Sequence, residues 1–281
     1  MRHRLAIAVN LGKAWILLIV PGLAMGALGW QLGGYRLALL FLASVVLAAA
    51  ALYFYADRIG MGMVGARELL PGEAPALHAT VESLSGRAGV IRPKLYVLPD
   101  GYPRALAAGR GARGGAALAV SVGLLGVATP AELEGIVAHE LAHLRRRDVL
   151  VQTIAVTLAG ALVEASRIGG LLQRVLLFVF APVAASFVHL LLSPKREFDA
   201  DRFAAELCDS PHGLADALLR LEQSMELVAF EASPATEPLY TTNPFADEGL
   251  ATLFVTHPPL GERVRRLRAL DPEWRERLRA A

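Results

Sequence analysis

Two histidines one helical turn apart with a glutamate between them, His139-Glu140-Leu-Ala-His143, form a pattern that can hold a divalent cation and act on a water beside it. At positions i and i+4 of a helix both imidazoles lie on one face, close enough to bind one Zn²⁺ per chain. Glu140 stands on the neighbouring face. From there its carboxylate can take the proton of an attacking water that the cation has acidified and later deliver it to a leaving amine, the chemistry of peptide hydrolysis. Catalytic zinc takes three protein ligands and keeps one position for water. The single cysteine, Cys208, excludes a cysteine-based site, so the third ligand must come from another imidazole or a carboxylate.

Glu197-Phe-Asp-Ala-Asp201 offers two carboxylates at i and i+4 of a second expected helix. One of them can reach the metal while the other accepts the free N–H of a ligating imidazole. Asp199 projects elsewhere on that helix and reads as a surface charge. His257 has two readings: it closes a loop ahead of Pro258-Pro259, or it points into the cleft and stabilises the oxyanion of a tetrahedral intermediate.

These residues need elements to hold them. Thr129-Pro-Ala-Glu132 is a capping box with proline at the first helical position, so a helix should begin there and run through His143 to the basic cluster Arg145-Arg-Arg147. Further helices are expected from Ala74 to Gly89, Pro194 to Cys208, Pro211 to Val228 and onward from Gly261. Strands are expected from Lys94 to Leu98 and Ala116 to Val122, with the glycine-rich stretch Gly109 to Gly115 as a turn. The strand before the metal-binding helix has two readings: it is interior only, or it offers its edge to an extended substrate.

The rest of the chain points to lipid. Apolar residues make up 54% of the 281 and charged ones 19%, and the mean hydropathy is +0.45, too greasy for an ordinary cytosolic enzyme. The formal charge of +2, without a basic stripe interleaved with aromatics, excludes nucleic acid as a partner. Apolar runs from Ala14 to Trp30 and from Leu37 to Ala56 each approach the roughly 20 residues that span a bilayer, and residues 31–36 form the turn between them. Arg2, Arg4 and Lys13 before this hairpin and Arg58 and Arg67 after it, against Arg36 in the turn, place both ends in the cytoplasm. A second apolar hairpin is expected over residues 149–193, inserted between the two metal-binding helices and in contact with the membrane. The expected organisation is α+β: a transmembrane hairpin over 1–58 and a hydrolase domain over 59–281.

The chain resembles the M48-family membrane metalloproteases of HtpX type. The resemblance rests on the membrane segments, Ala107-Ala-Gly-Arg110, Ala119-Val-Ser-Val-Gly-Leu-Leu125, Glu134 to Leu144 with Asp148, Lys195-Arg-Glu-Phe-Asp-Ala-Asp201, and Thr256-His-Pro-Pro259 before Glu262-Arg263. It implies a zincin-like domain facing the cytoplasm at a bacterial inner membrane, cleaving misfolded or membrane proteins as quality control. It also implies His139, His143 and Glu197 as zinc ligands, Glu140 as general base and Asp201 as the carboxylate behind a ligand. Pro103-Arg104-Ala105 departs from the Pro-Asn-Ala common in the family, which bears on substrate contacts and leaves the metal chemistry intact. A prenyl-protein-type peptidase would need more membrane helices. A non-catalytic zinc-binding scaffold would have no use for Glu140.

Overall fold

The structure is a computed structural model that describes residues 2–154, 157, 194–225, 258–271 and 273. It begins with α1 (Arg2–Phe54), which breaks into two arms at Gly33 and at Gly34, whose φ of +67° lies in the left-handed region that glycine enters freely. The arms run back along each other. A Cβ on Gly29 would come within 2.8 Å of Ala38 Cα, and one on Gly22 within 3.4 Å of Val45 Cγ1, so small residues set the close approach. The outer faces carry exposed Leu39, Leu40, Val46 and Leu47, and Gly29–Phe54 is the described helical stretch long and apolar enough to cross a membrane, with mean hydropathy 2.5 over its best window.

Helix α2 (Ala56–Met63) follows, and its Met61 packs against Tyr96, Leu98 and Leu106 beneath the sheet. The sheet has four strands in the order β1 (Arg67–Glu68), β2 (Lys94–Leu98), β4 (Ala116–Ser121), β3 (Ala105–Gly109). β2 and β4 are parallel, with Lys94 opposite Ala117, and their connection carries β3; β3 and β4 form an antiparallel hairpin with Ala105 opposite Val120. The expected strand 94–98 and the turn at 109–115 are present, and the strand expected to Val122 ends at Ser121, whose side chain caps the short helix α4 (Val122–Val127).

Of the two readings of the strand before the metal-binding helix, the interior one holds. β4 has β2 on one side and β3 on the other because the chain returns through the glycine-rich turn and pairs with the side that would have been free. On that side the outer strand is β3. Arg104 O accepts from Ser121 N and Arg110 N donates to Gly115 O, so by alternation the peptide groups of Ala105, Ala107 and Gly109 turn away from β4. Gly109 N donates to Thr153 Oγ1 at 3.2 Å.

Against the sheet lie α3 (Pro75–Ala88) and α5 (Pro130–Arg146), with α6 (Pro194–Leu207), α7 (His212–Met225) and α8 (Leu260–Arg268) packed beyond. Leu118, Val120, Ile136, Val137, Leu141, Leu144 and Leu218 form the centre of this core. The capping box forms as expected: Thr129 Oγ1 accepts from Glu132 N, and Glu132 Oε2 accepts from Thr129 N at 2.8 Å. α7 crosses α5 at Gly135, where any Cβ would meet Leu214 N at 2.5 Å. Of the second apolar hairpin, residues 149–154 are buried helix and residue 157 is also described; the others lie outside the described residues.

Candidate metal centre

His139 and His143 project from one face of α5, and Glu197 reaches them from the first turn of α6. The Nε2 atoms are 3.2 Å apart, His139 Nε2 is 3.5 Å from Glu197 Oε2, and His143 Nε2 is 3.6 Å from Glu197 Oε1. All three side chains are buried, and their donor atoms converge on one point. Ligand bonds of about 2.0–2.2 Å at tetrahedral angles put donor atoms roughly 3.3–3.6 Å apart, so this spacing and this donor set fit a small divalent cation.

Behind each imidazole stands a carboxylate. His139 Nδ1 is 2.9 Å from Asp201 Oδ1, one helical turn beyond Glu197 on α6. Arg263, on α8 and fully buried, grips Asp201 with two hydrogen bonds, Nε to Oδ2 at 2.9 Å and Nη2 to Oδ1 at 2.6 Å. Burial alone would raise the Asp201 pKa, but Arg263 and His139 more than offset it and hold the carboxyl at about 2. Burial would lower that of His143, yet Glu197 and Asp148 carry it up to about 9. The His143 shift reflects the buried carboxylates of Glu197 and Asp148 beside that imidazole, which favour a cation there.

Glu140 follows His139 on α5 and is buried. Asp199 lies on the exposed side of α6, 3.0 Å from Arg146 Nη1, away from the cluster, as its spacing implied. His257 lies outside the described residues.

Sequence reasoning gave no role to Arg263, Asp148 or Arg196. Arg263 had a signal: Leu260, Arg263, Val264 and Leu267 recur at helical spacing, so an arginine shares the face that buries Val264 and Leu267. Its neighbours Arg265, Arg266 and Arg268 masked it as one more solvated charge. Arg196, also buried, lies 3.6 Å from Glu197 Oε1 and 3.8 Å from Asp148 Oδ2, and reads in sequence as an ordinary companion of Lys195.

Comparison with known proteins agrees with this geometry. Residues 71–271 match the sequence model of Peptidase family M48. A protease HtpX homolog of Pelotomaculum thermopropionicum is 37% identical over 276 residues, covering 92% of this chain and 98% of that protein. Homologs bearing the same description from Persephonella marina (38% identical; 76% of this chain, 81% of that protein) and Thermococcus kodakarensis (34% identical; 92% and 94%) repeat the match. An apolar helix at one end, a His/Glu cluster on two crossing helices, and a family match spanning most of the chain meet in one conclusion: this chain belongs to peptidase family M48, as an HtpX-like, membrane-associated metalloendopeptidase.

Proposed function

We propose that the chain is a zinc-dependent, zincin-like endopeptidase of a bacterial inner membrane that cleaves misfolded or membrane-embedded proteins on the cytoplasmic side. The observation that carries this is the convergence of His139, His143 and Glu197 at 3.2–3.6 Å in a buried pocket beside a second glutamate. These three hold one Zn²⁺ per chain, which when bound supplies a Lewis acid for the scissile carbonyl and an acidified water. Glu140 accepts the proton of the attacking water and passes it to the leaving amine. Asp201, fixed by Arg263, holds the Nδ1–H of His139 so that Nε2 faces the other donors. His257 stabilises the oxyanion. An extended substrate adds to β3, an edge strand of the sheet, along the Ala107 peptide group, which faces away from β4.

Substrate choice follows from that strand addition, since a folded protein cannot present an unpaired extended segment. The purified protein should therefore cleave a membrane protein faster in its unfolded than in its folded form, measured on the same polypeptide in the same detergent. Equal rates would remove misfolding from the recognition.

The hairpin over 1–58 and the apolar residues of 149–193 anchor the domain of 59–281, with charge placing the termini in the cytoplasm. With Cys208 replaced by Ser, a reagent that cannot cross membranes should label Gln31→Cys in intact cells and Gly72→Cys after lysis alone. The opposite pattern would reverse the orientation.

A further inference from the structure

The two imidazoles of the cluster are backed by different devices, and the second has no role in the mechanism above. Asp148 is buried to 1% exposure, an extreme for an aspartate, and its Oδ2 lies 3.4 Å from His143 Nδ1, at the outer limit of a hydrogen bond. The opposite ring nitrogen of His143 faces Glu197 and His139. We infer that Asp148 is the positioning residue of His143, fixing the tautomer and the tilt that aim Nε2 at the metal, as Asp201 does for His139.

Backbone geometry supports this. Five residues past His143, Asp148 would not share its face if α5 continued, because neighbours on a face stand three or four residues apart. α5 ends instead at Arg147, a non-glycine residue in the left-handed region with φ of +59°, and that turn folds the chain back so that the carboxylate arrives beside the imidazole. Left-handed backbone costs a non-glycine residue free energy, and here it delivers one buried carboxylate to one ligand.

The charges around Asp148 fit the same role. Arg146 Nε lies 3.6 Å and Arg196 Nε 3.8 Å from the same Oδ2, so two guanidinium groups flank the carboxylate oxygen that faces His143. Arg196 also approaches Glu197 Oε1. Through Arg196, Asp148 is joined to the third donor as well as the second, and the three groups form one connected polar unit across the α5–α6 crossing.

The inference rests on the proposed metal site, and its test separates the two. Zinc affinity would be measured by competition with a chromophoric chelator for the full chain in detergent, wild type against Asp148→Asn, with Asp201→Asn as the reference and Asp199→Asn as the exposed control. Asp148→Asn is expected to weaken zinc roughly 10–100-fold, comparable to Asp201→Asn, while Asp199→Asn leaves it unchanged. Arg146→Gln distinguishes a merely structural ion pair, since it removes a partner of Asp148 and keeps the carboxylate; affinity should stay within about threefold of wild type, far less than the loss expected for an outer partner. A loss in Arg146→Gln equal to that in Asp148→Asn would overturn the positioning role.

A second measurement needs no variant. Cobalt-substituted wild type should give two hyperfine-shifted, slowly exchanging imidazole N–H proton signals, one for each carboxylate-backed histidine. One signal alone, with cobalt bound stoichiometrically, would mean that Asp148 does not hold His143. If wild type binds neither zinc nor cobalt, the metal site itself fails, which is a different result.

Discussion

Glu140→Gln is expected to leave the fold and the bound metal as they are and to reduce hydrolysis by at least about 10²–10⁴-fold, the contribution of a positioned proton-transfer group. The amide fills nearly the same volume as the carboxylate and cannot accept a proton. Glu140 is buried on α5 next to His139, so a change of volume there would disturb the core, and the isosteric variant avoids that. The assay is cleavage of an unfolded test protein together with zinc content and thermal unfolding of the same sample. Near-normal cleavage would remove Glu140 as the general base. Lost zinc or a collapsed melting curve would show that the side chain holds the site together instead.

Glu197→Ala is expected to have the opposite signature, loss of the metal followed by loss of activity. Glu197 is the donor supplied by α6, and among the described residues it is the carboxylate that faces the Nε2 atoms of both histidines, at 3.5 and 3.6 Å. Removing it leaves two ligands where a stable site needs three. Affinity should fall by more than the roughly 10–100-fold that an outer hydrogen-bonding partner costs. Glu197→Gln is the companion variant, because the alanine leaves buried imidazoles and Arg196 without their counter-charge and could unfold the crossing. Zinc retained stoichiometrically in a folded Glu197→Gln protein would move the third ligand to another residue.

How much of this was legible in the sequence follows from how local each signal is. The capping box at Thr129-Pro-Ala-Glu132 and the His-Glu-x-x-His spacing are decided within one helix, and α5 begins and carries its two imidazoles where expected. The helix with Glu197 and Asp201 was equally readable, since the i, i+4 relation survives any tertiary arrangement. β3 was not. Ala105-Leu-Ala-Ala-Gly109 has no β-branched residue and no alternation, because all five residues are buried and small side chains suit a strand pressed between α2 and α5. Missing β3 left open whether β4 is interior or an edge. Asp148 was visible as part of the family resemblance, but its approach to His143 was not, because that depends on the left-handed turn at Arg147, where nothing in the sequence, such as a glycine, announces it. Arg263 could have been found from the face it shares with Val264 and Leu267, a pattern hidden among four arginines in one short helix.

The central claim is that a single zinc held by His139, His143 and Glu197 makes this chain a peptidase, and the most direct measurement titrates that metal against activity. The full chain, purified in detergent and stripped with a chelator, would be incubated with an unfolded test protein while zinc is returned in small increments under metal-free conditions. Activity should be absent in the stripped protein and rise linearly to a plateau at one zinc per chain, with Glu140→Gln binding the same single equivalent and remaining inactive. Full cleavage by the stripped protein, or activity that zinc does not restore while the chain remains folded, would contradict the account.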